Sequence, residues 1–225
     1  MTVRQVKPPP CAETAVARKA GTSQTDAMNT QSHVIMGAVL FGRGVSSKAW
    51  AGALGGAVPD FPMILIVLTL KLSGLSDRSI FGEMYWQNWW QVTNAIGHSF
   101  WLWSGLVIFG MIMRDRLSSS VRAFDNWTLV SLFAGSALLH TAIDFLCHRE
   151  DAHMSLWPVT RWKFMSPVSY YDSAHFGNWF SLFEAALGLC LAVVLFRQFA
   201  SRRLRACLAI AMAMYVAVPA YFIFS

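Results

Sequence analysis

Charged side chains are scarce in this 225-residue sequence: they make up 13% of it, whereas hydrophobic residues make up 55%. A soluble globular domain carries about 25% charged residues, so this deficit argues against an ordinary water-soluble fold. Ten Trp and sixteen Phe residues suit contact with lipid and anchoring at the membrane surface. The sequence therefore predicts an all-α, polytopic integral membrane protein that is in contact with membrane lipid.

Other features are missing as well. The four Cys residues form no CxxC pattern and mostly lie in apolar runs, which predicts small hydrophobic side chains rather than a thiolate metal site. No P-loop is present. The net charge is +6, but the basic residues cluster between apolar runs, and the aromatic residues lack interleaved basic ones. A nucleic-acid partner is therefore not expected.

The N-terminal 30 residues have little apolar content and contain three consecutive prolines, without the hydrophobic region of a secretory signal. They predict a disordered tail. Because the composition changes abruptly at Met28, we expect Met28 to be the biological start. Residues 31–225 then form a single helical membrane domain, with an outward-facing loop at 148–178.

Apolar runs in this domain predict about five transmembrane helices plus short re-entrant or interfacial helices. The predicted spans are 49–72, 94–113, 127–147, 179–199 and 207–224. The first contains Asp60 between two prolines, so it is either one span with a broken middle or part of a hairpin with Asp60 at a turn. Its glycines permit close helix approach. The aromatic segment at 73–91 predicts an interfacial belt or a short helix on the membrane.

Basic residues set the expected orientation. They are concentrated at the N-terminus and in the loops at 114–122 and 197–205. The positive-inside rule places that side in the cytoplasm, in a bacterial inner membrane. The C-terminus and the region from His140 to His175 would then face outward.

The stretch HTAIDFLCHREDAH, from His140 to His153, ends an apolar run. On an α-helix, His140, Asp144 and His148 fall within an arc of roughly 80°, and Asp151 returns to it. An ionisable residue at the edge of a membrane helix suggests a site. The His140–Asp144 spacing suits joint binding of a divalent metal, with Zn²⁺ preferred and Mn²⁺ or Fe²⁺ also fitting. The alternatives are interfacial histidines, or a neutral His140 hydrogen-bonded to Asp144 or to a carbonyl.

Several isolated residues are further candidates. His98, near the start of its span, is either an interfacial anchor or a ligand. Asp60 needs a partner, which favours a ligand role. Asp172 and His175 follow in the outward loop, and Glu184 is an acid within an apolar run.

Five short motifs, in their order along the chain, resemble those of a known family. They are SH at 32–33, VPD at 58–60, GHS at 97–99, HTAID at 140–144 and WPVTRWKF at 157–164. It comprises inner-membrane proteins described as membrane-bound metal-dependent hydrolases, some with a LexA-binding label. The family pattern runs from a His through P-D-x-D and H-R-x-x-T-H-S to H-x-x-x-D and a later W-P. Pro62 stands where the second Asp is expected, and the first His of H-R-x-x-T-H-S has no counterpart.

This resemblance implies a metal site built from His33, Asp60, His98, His140 and Asp144. The pair His148 and His153 is a candidate for replacing the missing ligands. With Asp151, this pair forms the candidate catalytic set, acting as general base or orienting a ligating histidine. The implied function is metal-dependent hydrolysis, and the place of the site at the edge of the bilayer predicts a phosphoester or acyl ester of a lipid or envelope precursor as its substrate. The alternatives are a non-enzymatic metal-binding membrane module and, third, a transporter.

Overall fold

The computed structural model describes residues 30–169 and 172–224, with side chains described up to residue 217. All longer elements in these ranges are α-helices. They are α1 (Thr30–Gly42), α2 (Ser46–Ala57), α3 (Phe61–Leu72), α4 (Asn88–Gly97), α5 (Phe100–Arg116), α6 (Val121–Cys147), α7 (Gly177–Gln198) and α8 (Arg202–Phe224). The predicted all-α fold is thus confirmed. The predictions for the N-terminal tail and for Met28 fall outside the described residues.

Two helical hairpins form the centre of the fold. Helices α1 and α2 pair through a short turn, α5 and α6 pair through another, and α2 packs against α6. Ser99 and Ser120 begin α5 and α6, because each hydroxyl accepts a hydrogen bond from a backbone N–H in the first turn. Both hairpin turns lie at one end of the molecule. The start of α1, the end of α2, the start of α5 and the end of α6 therefore meet at the other end.

Glycines set the spacing between these helices, as the sequence predicts. A side chain at Gly52 would meet the backbone of Gly37 in α1, and one at Gly55 would meet the backbone of Phe133 in α6. A side chain at Gly56 would meet the carbonyl of His33. Helix α2 thus touches the backbones of α1 and α6, which draws the polar ends of those helices together.

We expect Gly56→Ala to lower the stability of the protein by about 1–3 kcal/mol, because the new methyl group has to displace the α1 backbone at His33. Thermal unfolding in detergent would measure the loss. Gly105→Ala is the matched control, since a methyl group at Gly105 in α5 meets nothing. Equal unfolding temperatures for the two variants would show that the close contact does not matter.

Among the residues that the structure describes, three helical segments are long and apolar enough to cross a membrane: Asn88–Arg116, Val121–Cys147 and Gly177–Gln198. Helices α2 and α3 form a bent pair, with 60° between them, that would make a fourth span if counted as one. These helices are compatible with a polytopic membrane protein. The break falls at Asp60, just before α3, where Pro62 is tolerated in the first turn. A total of five spans stays a prediction.

The aromatic segment at 73–91, which extends into the first turn of α4, is only partly exposed. Its helical turn at Ile80–Met84 leads into Tyr85 and Trp90, both buried against α3, whereas Trp86 and Trp89 are exposed. This segment therefore packs some of its rings against α3 and leaves others exposed. The predicted belt is therefore limited to the exposed tryptophans.

Candidate metal centre

Imidazole and carboxylate groups from four parts of the chain meet at the polar end of the two hairpins. Asp60, His98, His140 and Asp144 are all buried, and one ligand atom from each lies within 4.8 Å of the others. Asp60 comes from the α2–α3 break, His98 from the α4–α5 junction, and the other two from one face of α6. His140, Asp144 and Asp60 therefore lie together, and their binding of a metal stays a prediction.

The spacing of these atoms suits a single small cation. The Nε2 atoms of His98 and His140 lie 3.1 Å and 2.9 Å from Oδ2 of Asp144, and both lie 3.5 Å from Oδ1 of Asp60. In a tetrahedral zinc site with bonds of about 2.0–2.1 Å, neighbouring ligand atoms are about 3.3 Å apart. The four side chains could therefore hold a metal ion with little rearrangement.

Backbone carbonyls fix the orientation of both imidazoles. His98 Nδ1 lies 3.0 Å from the carbonyl oxygen of Asn94, and His140 Nδ1 lies 2.7 Å from that of Gly56. A carbonyl oxygen only accepts, so each Nδ1 carries a proton and donates it. Without a metal, Nε2 of His98 donates a hydrogen bond to Oδ2 of Asp144. With a metal bound, the Nε2 atom of each ring would instead turn its lone pair to the ion. Metal-binding histidines commonly have this arrangement. The hydrogen bond from His140 to the carbonyl of Gly56 is also one of the alternatives that the sequence left open for this residue.

A hydrogen bond also fixes the orientation of the Asp60 carboxylate. It precedes the first turn of α3, but its side chain makes no capping hydrogen bond there. Oδ2 instead accepts a hydrogen bond of 2.7 Å from the hydroxyl of Thr30, at the start of α1, and Oδ1 faces the two histidines. The carboxylate thus has one anchored oxygen and one oxygen directed into the cluster.

His33, in α1, lies beside this cluster. It is buried, and its ring stacks on that of His140 with centroids 3.8 Å apart. Its Nε2 lies 3.1 Å from Oδ1 of Asp144, yet neither atom has an aligned hydrogen bond. A buried polar atom without a hydrogen bond is costly. A cation between the two atoms would satisfy both.

The end of α6 differs from the sequence prediction. The helix stops at Cys147, and His148 has extended backbone, so His148 and Asp151 do not continue the helical arc. Ser166 explains the stop, because its hydroxyl donates to the carbonyl of Leu146 and its N–H donates to that of His148. His148 still faces the cluster, since its Nε2 lies 3.9 Å from Oδ1 of Asp144.

His148 and Asp151 form a pair beside the cluster. The distance from His148 Nδ1 to Oδ2 of Asp151 is 2.7 Å. Burial opposes the charged form of each group, but their mutual attraction prevails: it raises the pKa of His148 to about 9 and lowers the pKa of Asp151. The Asp151 side chain is 25% exposed, against 3% for Asp144, so the site is closest to solvent on this side.

His153 completes this side of the site. Its ring stacks on that of His98, with centroids 4.0 Å apart, and it forms a second group of possible metal ligands with Asp144 and His148. Burial, reinforced by the neighbouring histidines His98 and His148, holds the pKa of His153 well below its usual value. A neutral imidazole is the form that binds metals. The three predicted catalytic residues therefore lie against the predicted metal ligands.

The remaining candidates lie elsewhere. Asp172 and His175 pair with each other and group with Glu150, an exposed residue of the loop at 148–178. Glu184 is buried in α7 and accepts a 2.6 Å hydrogen bond from Ser32, which also contacts Tyr215. Neither group is part of the cluster around Asp144 in the described residues.

Sequence reasoning missed the groups that orient the ligands. Thr30, Ser166 and the carbonyls of Gly56 and Asn94 act through contacts between distant or backbone atoms, which leave little signal in a single sequence. Gly55 and Gly56, just before the VPD motif, do indicate close packing of α2 in the sequence. Comparison with known proteins adds nothing, because no family model, curated protein or solved structure matches this chain.

Proposed function

We propose that this protein is a metal-dependent hydrolase of a bacterial inner membrane, with Zn²⁺ as its ion. Its substrate class is a phosphoester or acyl ester of a lipid or envelope precursor. The observation that carries the proposal is the His148–Asp151 pair, which is directed at a buried His and Asp cluster able to hold a metal.

The donor set supports zinc. Imidazole suits Zn²⁺ and related transition metals, whereas Mg²⁺ and Ca²⁺ prefer oxygen ligands alone. Asp60, His98, His140 and Asp144 supply two nitrogens and two oxygens. An ion bound there would lower the pKa of a bound water toward 7 and polarise an ester oxygen. The same residues, with His33, are those by which the sequence resembles membrane-bound metal-dependent hydrolases.

A purely structural ion would not need the additional groups. Structural zinc sites are complete with four ligands. Here an ordered imidazole–carboxylate pair and a further imidazole, His153, lie against the four, on the side nearest solvent. Two roles fit His148: a general base held by Asp151, or a ligand to a further ion. Both roles need a neutral imidazole, which the positive charge of a bound ion would favour over the protonated form that the metal-free pair holds. Either role serves water activation.

The position of the site favours a lipid substrate. His140 and Asp144 lie near the end of the candidate span α6, next to the loop that carries Asp151 and His153. The predicted orientation places this end outward. An ester group at the headgroup level of a lipid would reach the same depth as Asp151 and His153.

We expect the zinc-loaded protein in lipid nanodiscs to cleave at least one of three probes: a phosphatidic acid, a phosphatidylglycerol or a diacylglycerol. These present a phosphomonoester, a phosphodiester and acyl esters. Phosphate and fatty-acid release, with mass spectrometry of the lipids, would identify the bond that breaks. Chelation should stop turnover, and added Zn²⁺ should restore it.

His140→Ala should reduce this turnover by roughly 1,000-fold, because it removes a metal ligand. Asp115→Asn is the control: Asp115 is an exposed residue of α5 paired with Arg114, remote from the cluster. Turnover that survives both chelation and His140→Ala would refute a metal-dependent reaction. Retention of metal without turnover of any probe would favour the non-enzymatic metal-binding module.

A further inference from the structure

Asp144 presents its two oxygens to two different sets of histidines. Oδ2 faces His98 and His140, at 3.1 Å and 2.9 Å. Oδ1 faces His33 and His148, at 3.1 Å and 3.9 Å. A carboxylate that bridges two metal ions directs its oxygens in this way, one to each ion.

The number of donors also exceeds the need of one ion. A tetrahedral zinc ion uses four ligands. Asp60, His98, His140 and Asp144 already provide four, and Asp144 also belongs to a second group with His148 and His153, whose ligand atoms lie within 4.8 Å of one another. The second group contains nothing from the first except the shared Asp144.

On this second side, Nε2 of His33 and Oδ1 of Asp144 lie 3.1 Å apart, yet no aligned hydrogen bond joins them. Both residues are about 2% exposed, so water cannot readily satisfy these atoms. A cation between them and His148 would satisfy both. Asp151 would then hold His148 by its Nδ1 proton, as carboxylates hold metal-binding histidines.

We propose that the site holds two metal ions bridged by the carboxylate of Asp144. Asp60, His98 and His140 bind the first, and His148, His153 and His33 bind the second. This inference deepens the proposed hydrolase function and rests on it for its chemical meaning. In two-ion centres, ions about 3.5–4 Å apart jointly orient a phosphoester or ester and the attacking water. Such a centre favours a phosphoester substrate.

Metal analysis of the whole protein tests the inference without any substrate. After zinc loading and removal of free metal in detergent, we expect about two zinc ions per chain, as a two-ion centre requires. His148→Ala and His153→Ala should each reduce this to about one, and Asp144→Ala should leave almost none. Zinc at one ion per chain in the wild type, or at two in the His148→Ala/His153→Ala double variant, would overturn the proposal.

His175→Ala is the matched control. His175 forms the same kind of pair with Asp172, at 2.8 Å, as His148 forms with Asp151, but in the separate group with Glu150. Its removal should leave two ions. A loss of one ion in this variant would place the second ion in the outward loop and overturn the assignment.

Manganese loading gives a measurement that needs no variant. Two Mn²⁺ ions sharing one carboxylate are magnetically coupled, so the wild-type protein should show the electron paramagnetic resonance signal of a coupled pair. Signals of isolated ions alone would contradict a bridge at Asp144. Because neither measurement involves turnover, two coupled ions in a protein that cleaves none of the lipid probes would leave this inference intact and refute only the hydrolase function.

Discussion

Replacing Asp144 with Ala should abolish metal binding more completely than any other single substitution. Its carboxylate lies within 3.1 Å of a nitrogen of His33, His98 and His140, and within 3.9 Å of one of His148. Loss of a residue that merely orients a ligand typically costs 10–100-fold in metal affinity. Loss of this shared ligand should therefore cost roughly 1,000-fold or more, measured by zinc titration against a competing chelator.

A graded series makes this prediction sharper. Asp151→Asn, which keeps the size of the side chain that orients His148, should weaken binding by about 10–100-fold. The exposed Asp115→Asn should have no effect. Because His140 and Asp144 act on one ion, the double variant His140→Ala/Asp144→Ala should lose little more than Asp144→Ala alone. If the losses in affinity added fully, the two residues would not bind the same metal ion.

Removing metal from the wild-type protein should destabilise it strongly. A ligand present at 1,000 times its dissociation constant stabilises the folded state by about 4 kcal/mol. Here the ion would also join helices α1, α2, α5 and α6 at the end where no turn connects the hairpins. We expect a chelator to lower the unfolding temperature by several degrees, and added Zn²⁺ to restore it.

Asp144→Ala provides the control for this experiment. Its unfolding temperature should not respond to chelator or to Zn²⁺, because no ion remains to be removed. An unfolding temperature of the wild type that is the same with and without chelator would show that the cluster is held by its own His–Asp contacts. Such a cluster would need no metal.

The sequence predicts the part of the site that lies on one helix. His140 and Asp144 are four residues apart in an apolar run, so helical geometry alone places them side by side. Asp60, His98 and His33 are far away in the chain. Ordered motifs could nominate them, but their approach depends on the backbone contacts of Gly52, Gly55 and Gly56, which no spacing rule encodes.

Other parts of the fold depend on tertiary contacts that override local pattern. The sequence pattern predicts that α6 continues through His148. Ser166, eighteen residues beyond His148, instead caps the helix at Cys147. The resulting turn brings Asp151 to the Nδ1 side of His148. Likewise, Trp90 looks like a surface aromatic in the sequence and is fully buried against its neighbours.

Anomalous X-ray scattering at the zinc edge tests the central claim most directly. Crystals of the zinc-loaded protein should show a peak about 2.0–2.1 Å from Nε2 of both His98 and His140, with Asp60 and Asp144 as its oxygen ligands. A second peak should lie on the Oδ1 side of Asp144. The account would be contradicted if no peak lay between these residues, and if the two Nε2 atoms donated hydrogen bonds directly to the carboxylates instead.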